Sequence, residues 1–422
     1  MSERVMQQRF HFYYGWIHVV MAAWAMVATL PGRTHGLGLI TKPLLADLGL
    51  TESAFAQINL WSCLLGALFA LPMGWLIDRL GVRLAGTVVV GLLSASVFQL
   101  TRVDDGNELF LCLTLIRGFG QSALSVVSIA MISKWFRQNL APAMGVYAVL
   151  LTIGFVFSVL GMGWAIDRYG WREAWKLLGF GLVFLTPAVW LLVRSTPEEF
   201  GVEPDPEVNA ANRALNSEHG LADFTLLEAL LTPTFWIIAL ATSAFNLVWS
   251  SITLFNEPIL DELGFDQKAA VEMMAYLTGL GLISNLVAGK LATRQRIGML
   301  LGVALLTLTV ALAWFPSIRS AIQLRLYGAV MGFVGGMVTV IHFSAWGQFF
   351  GRAEIGRIQG VAQVLSVLAS AIGPVCVAWF ADQQHSHLPA YYVFAVLTFF
   401  ASMLSFLMPL PVDTAEARTT LR

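Results

Sequence analysis

Charge is scarce in this sequence. Only 12% of its 422 residues are Asp, Glu, Lys or Arg, about half the share of a soluble domain. Neither sign dominates, since the formal net charge is −1, so no polyanion is implied as a partner, nucleic acid included. Cysteine is nearly missing. The three that occur, Cys63, Cys112 and Cys376, sit in apolar runs without metal-ligand spacing and read as packing residues. A long polar stretch occurs once, over 195–223. There is no Gly-Lys-Ser/Thr phosphate loop and no His, Cys, Asp and Glu cluster. These absences argue against an enzyme, a resident cofactor or a metal.

What is present is apolar. Hydrophobic residues make up 57% of the chain, with 28 Phe and 14 Trp, and the mean hydropathy is +0.72. A water-soluble fold of this size would expose too much of that surface. Soluble enzyme, nucleic-acid binder and disordered scaffold are therefore set aside. A helix crossing a bilayer needs roughly 20 mainly apolar residues. Twelve runs meet that need: 14–46, 52–77, 83–102, 108–135, 140–166, 172–194, 233–260, 267–292, 297–315, 319–350, 356–381 and 388–410. The first run is too long for a signal-peptide core and has no small-residue cleavage site, so it reads as a retained helix.

The expectation is an all-α polytopic membrane protein with two six-helix bundles, 1–194 and 233–422, joined by a linker over 195–232 that carries Pro197, Pro204 and Pro206. Lys and Arg in short loops set orientation. With the N-terminus inside, fifteen fall on the cytoplasmic side and seven on the other. Both termini and the linker are then cytoplasmic, in the inner membrane. The loop with Arg168, Arg172 and Lys176 runs against the rule.

An internal repeat supports the division into halves. Thr41-Lys-Pro-Leu-Leu-Ala-Asp-Leu-Gly49 aligns with Asn256-Glu-Pro-Ile-Leu-Asp-Glu-Leu-Gly264, an offset of 215. At that offset Gly66 meets Gly281, Gly74 meets Gly289, Gly145 meets Gly360 and Asp167 meets Asp382. Two homologous bundles are the repeat architecture of many secondary transporters.

Between the second and third runs stands Gly74-Trp-Leu-Ile-Asp78-Arg79-Leu-Gly81-Val-Arg83. Gly74 permits close helix contact, Gly81 permits a turn, and the charges stay out of hydrocarbon. This segment resembles the signature loop of the major facilitator superfamily. Arg117-Gly-Phe-Gly120-Gln121 resembles that family's fourth-helix motif. The second copy of the loop departs from the pattern, with Thr293 where Asp is expected. The resemblance implies twelve transmembrane helices, alternating access, and a conformational latch formed by Gly74, Asp78, Arg79, Gly81 and Arg83. In that latch Asp78 faces the positive N-terminal end of the helix beginning near 354–356.

Two shorter segments are similar to the branch holding monocarboxylate transporters and oxalate–formate antiporters. They are His35-Gly-Leu-Gly38-Leu-Ile-Thr-Lys42-Pro43-Leu44 and Pro197-Glu-Glu-Phe-Gly201-Val-Glu-Pro204-Asp205. The eighth run departs from the branch: it lacks the Arg typical there.

Charges inside the hydrocarbon have a partner or a job. Arg117 lies about ten residues into the fourth run, with Gln121 one turn on. Its fork suits a carboxylate, or it bonds helix carbonyls as an architectural residue. Arg33 follows Pro31-Gly32, a break that exposes backbone. His35 follows Arg33 but would point away from it on a regular helix. The remaining candidates for substrate contact are Asn246, Trp249 and His342. His35, Glu272 and His342 are the candidates for proton coupling, and Arg325 is a partner open to Glu272.

These residues point first to a secondary transporter, symporter or antiporter, for a small organic anion such as a monocarboxylate. Its partners would be the substrate, the bilayer and a coupling proton or counter-anion, and it would act as a monomer. A second reading is a transporter of a neutral metabolite or hydrophobic drug, with both Arg residues structural. A third, a transport-dead sensor, lacks the enlarged linker or tail such a protein would carry.

Overall fold

A computed structural model describes residues 13–137, 139–201 and 223–410, and the described residues contain helices and no strands. Ten helical stretches among them are long and apolar enough to cross a membrane. One of these, Ala54–Leu100, is 47 residues long and holds two spans. Gly81 divides them with φ 83° and ψ 159°, a left-handed conformation that a Cβ would disfavour. The shorter apolar helix Gly15–Val27 opens the remaining span. The architecture is all-α and polytopic, with twelve spans.

Helix starts follow local side-chain chemistry. We label α1 as Gly15–Val27, α2 as Glu52–Ala67 and α3 as Ala70–Leu100. The Thr51 hydroxyl accepts from the Ala54 N–H ahead of α2. Asp105 accepts from the Asn107 and Glu108 N–H groups to start α4, Gly106–Ile116. These bonds satisfy donors that a helix N-terminus leaves open. α5 is Ser125–Ser133, α6 Leu140–Tyr169 and α7 Trp171–Leu192. Thr232 caps α8, Pro233–Leu254, and α9 is Asn256–Glu262. Asp266 caps α10, Gln267–Leu291, and α11 is Ile297–Trp314. Ser320 and Gln323 form a capping box for α12, Ala321–Phe350. α13 is Ile355–Gln384 and α14 Pro389–Phe406.

The first span is broken. A 3-10 turn covers Leu30–Gly32, with Pro31 in its first turn, and Arg33 is extended at φ −94° and ψ 151°. Helices Thr34–Gly38 and Thr41–Leu48 follow. Pro31 supplies no N–H and so cannot continue the helix ladder. The regular-helix geometry that would turn Arg33 and His35 apart therefore does not hold here.

The chain forms two compact units. One comprises Met1–Ala143, Leu150–Asp223 and Arg352–Val364; the other comprises Met144–Val149, Phe224–Gly351 and Leu365–Arg422. In the first, α3 packs on α7 and α1 on α5. In the second, α10 packs on α12 and α11 on α14. Small residues bring backbones together at these seams. A Cβ added at Gly332 would lie 2.0 Å from the Leu277 carbonyl oxygen, which only glycine avoids.

The sequence repeat reappears as one contact made twice. In the first unit a Cβ on Gly360 would lie 2.6 Å from the Ala70 carbonyl oxygen. In the second a Cβ on Gly145 would lie 2.8 Å from the Asn285 carbonyl oxygen. Both partners of the first contact stand 215 positions from those of the second.

The basic loop that runs against the charge rule is locally neutralised. Arg172 donates to Asp47 at 3.4 Å and to the carbonyls of Thr101 and Val103, and its guanidinium lies over the Trp171 ring. Lys176 pairs with Glu173 at 2.6 Å. These cations are held by their own bundle.

Candidate functional site

Arg117 sits at the join of α4 and a π-helical turn, Arg117–Leu124, that leads into α5. Such wide turns recur at functional positions. Glycine makes the turn fit its neighbours. A Cβ at Gly118 would meet the Phe69 ring at 2.6 Å, and one at Gly32 would meet the Ile116 carbonyl oxygen at 2.6 Å.

The Arg117 side chain is 2% exposed. Its Nη1 donates to the Gly32 carbonyl at 3.2 Å and to Gln121 Oε1 at 2.8 Å. Its Nη2 donates to Asn59 Oδ1 at 2.5 Å, and its Nε is buried without a partner. All these acceptors are neutral, and no carboxylate pairs with Arg117 among the described residues.

Arg33 joins the same network. Its Nε donates to Thr29 Oγ1 at 3.0 Å and its Nη2 to Ser125 Oγ at 2.9 Å. The Ser125 hydroxyl donates to the Gln121 carbonyl at 2.6 Å. Arg33 is half-buried. The structure thus brings Arg33, Gln121 and Arg117 together around the broken first span. The side chain of His35 lies outside the described residues.

In the second unit, Asn246 Nδ2 donates to Ser366 Oγ at 2.7 Å. Trp249 stacks on Phe245, with centroids 5.5 Å apart, and Gly335 leaves room for its ring. His342 is edge-on to Trp346, and its Nδ1 is buried without a hydrogen-bond partner. Glu272 is paired: Arg325 Nη2 lies 2.8 Å from its Oε2, and Arg325 Nε donates to the same oxygen at 2.9 Å.

The signature loop ends in a tight contact. Asp78 Oδ1 accepts from the Gly356 N–H at 3.0 Å, and Oδ2 accepts from the Arg357 N–H at 2.9 Å. Lys134 Nζ donates to Oδ1 at 3.3 Å. A carboxylate at the first turn of α13 meets open donors and the positive end of the helix. Gly74 lets α3 come close, since a Cβ there would lie 2.3 Å from the Gly356 carbonyl oxygen. Arg79 lies over Trp75, and Arg83 lies over Trp190 while donating to its carbonyl.

The family model of the Major Facilitator Superfamily matches residues 19–374. The chain belongs to that superfamily. Its fold is similar to that of a proton:xylose symporter, XylE, solved with 6-bromo-6-deoxy-D-glucose. The TM-score is 0.69 at 13% identity, over 94% of this chain and 95% of that one. Monocarboxylate transporter 13 of Rattus norvegicus is 22% identical, over 90% of this chain and 85% of its own. The agnestins efflux protein AgnL12 of Paecilomyces divaricatus is 23% identical, over 74% of this chain and 67% of its own. A probable nitrate/nitrite antiporter, NarK1 of Thermus thermophilus, is 26% identical over 40% of each chain. Membership makes this an integral membrane transporter of a small molecule and not an enzyme.

Sequence reasoning missed three residues, of which Lys134 touches the superfamily loop. Lys134 and Arg352 carried no motif. Arg352 donates from Nη1 to the Lys134 carbonyl at 2.6 Å and from Nη2 to Glu198 at 2.7 Å. Its backbone N–H donates to Asp223 at 2.7 Å. Burial works to raise the Glu198 carboxyl, but the hydrogen bonds it accepts from Arg352, Thr196 and its own backbone, together with the Arg352 charge, outweigh burial and hold the pKa below the usual value. The third is His18, which is fully buried and stacked on Trp135 at 4.0 Å. Its Nε2 accepts from the Arg194 N–H at 2.9 Å. A lone His in an apolar run signals nothing about such a partner 176 residues away.

Proposed function

We propose that this superfamily member is a secondary active transporter of a small organic anion, carboxylate-like in chemistry, working by alternating access. The observation that carries the reading is Arg117: a buried cation whose acceptors are all neutral. An unpaired charge is costly at membrane depth. An anion passing near it would offset that cost, with half-buried Arg33 adding charge to the same network. The relatives named for monocarboxylate and for nitrate/nitrite both carry anions in their names, which supports the class. The branch similar to monocarboxylate transporters belongs to this reading as well.

In this proposal 1–194 and 233–422 are the two functional bundles, and the protein acts as a monomer in the inner membrane with both termini cytoplasmic. The contact of Asp78 with the start of α13 is the latch, worth about 1 kcal/mol. Gln121, Asn246, Trp249 and His342 are taken as substrate-facing, together with His35. For proton coupling, His342 is the better candidate because its Nδ1 has no partner. Glu272 would first have to leave Arg325.

One observation favours a second reading. Half-buried Trp249, stacked on buried Phe245, suits a hydrophobic drug, and a multidrug resistance protein B homologue of Mycobacterium tuberculosis is 28% identical over 37% of this chain. Uptake into proteoliposomes separates the two. Pyruvate and oxalate uptake, lost in Arg33→Gln with the melting temperature unchanged, is expected. Uptake of a hydrophobic cation that survives Arg33→Gln would favour the second reading and remove the first.

A further inference from the structure

Arginine carries five N–H donors and no acceptor. Every side-chain amide bound to Arg117 must therefore present its oxygen. Asn59 and Gln121 do so, with Oδ1 at 2.5 Å and Oε1 at 2.8 Å. Their amide nitrogens are consequently turned away from the guanidinium. Neither Asn59 Nδ2 nor Gln121 Nε2 donates to any acceptor among the described residues, and neither is among the buried polar atoms left without a partner. Each amide thus keeps two N–H donors at accessible surface. Exposure also rises outward: Arg117 is 2% exposed, Gln121 8%, and Asn59 is half-buried.

We propose that the anion is bound by the amide N–H groups of Asn59 and Gln121, and that Arg117 is the positioning residue that fixes both amides with N–H outward. This rests on the anion reading above and deepens it. The guanidinium is 2% exposed and enclosed by its own helices; three of its five N–H groups are taken, and the two left are one on Nη2 and the one on Nε, which is buried. It acts through the amides by polarising their N–H groups, as linked hydrogen bonds do in a low-dielectric interior. The four outward donors suit the two oxygens of a carboxylate. Asn59 becomes the contact residue, and Arg117 supplies charge from behind it.

The test uses the full-length protein in detergent, with pyruvate and oxalate as probes and melting temperature and affinity as readouts. Asn59→Asp keeps an oxygen on Arg117 but removes the outward donors. It is expected to raise the basal melting temperature, by giving Arg117 a counter-ion, while weakening anion affinity about tenfold or more. A purely structural role for Asn59 would not move the two readouts in opposite directions. Gln121→Met removes donors at similar volume without a new charge, and about threefold to tenfold weaker binding is expected. Should Asn59→Asp lower stability along with affinity, Gln121→Met decides. Parental affinity in Gln121→Met overturns the proposal and leaves the anion reading intact. A parent protein that responds to neither probe overturns both.

Discussion

Asp78 holds two backbone N–H groups and one ammonium at once. Asp78→Asn keeps an oxygen but loses the charge that complements the helix terminus. We expect a loss of about 1 kcal/mol in thermal unfolding, with faster hydrogen exchange at the Gly356 and Arg357 amides. Glu262 is the comparable residue at the end of α9. Burial works to raise its carboxyl, but hydrogen bonds from Ser386 Oγ and from the His387 backbone and ring outweigh it and hold the pKa below 4.5. A depressed pKa means that this contribution is complete above the unfolded value and is lost as pH falls through the folded one. The melting-temperature difference between the parent and Glu262→Gln should therefore be present above the unfolded carboxylate value and vanish in acid. At this scale the sequence marked Arg117 and Arg33 as charges inside the hydrocarbon and Asp78 as a carboxylate of the signature loop. The helix start that Asp78 meets was expected from the superfamily resemblance and is found, but Asn59, Ser125 and Lys134 were hidden as partners, because they are distant in sequence and ordinary in type.

The elements were legible from apolar length and caps, but their interruptions were legible only in part. Pro31-Gly32 announced the break in the first span. Nothing announced the π-helical turn at Arg117–Leu124, because its stability comes from Phe69 and Gly32 packing against it. Helix crossings carry the next prediction. A Cβ at Gly74 would strike the Gly356 backbone at 2.3 Å, and backbone cannot yield as a flexible side chain can. Gly74→Ala should destabilise the protein by about 1–3 kcal/mol in thermal unfolding, whereas Gly163→Ala, where an added Cβ meets nothing within 4 Å, should not. The repeat is also unequal in chemistry. At the offset of 215, Thr293 stands for Asp78 and Pro142 for Arg357. The second copy has lost both the carboxylate and one of the N–H groups that the first copy uses.

Orientation is a property of the whole molecule. The charge bias predicts that the linker and the 382–388 turn face opposite sides. With the three native Cys replaced, Glu199→Cys should react with an impermeant maleimide only in inside-out vesicles. Gln383→Cys should react only in right-side-out ones. Reversal of that pattern would overturn the assigned orientation. By itself, the sequence determined the class, the twelve spans, the repeat and the superfamily. Each of these follows from periodicity, length and local turn chemistry, which a chain carries wherever it folds. The tertiary structure decided what each intramembrane charge does. Arg117 faces neutral acceptors and no carboxylate, Arg33 bonds Thr29 and Ser125, and Glu272 takes the pairing with Arg325 that the sequence had left open. A buried charge is governed by whatever its neighbours donate or accept, and those neighbours arrive from helices that sequence order keeps apart.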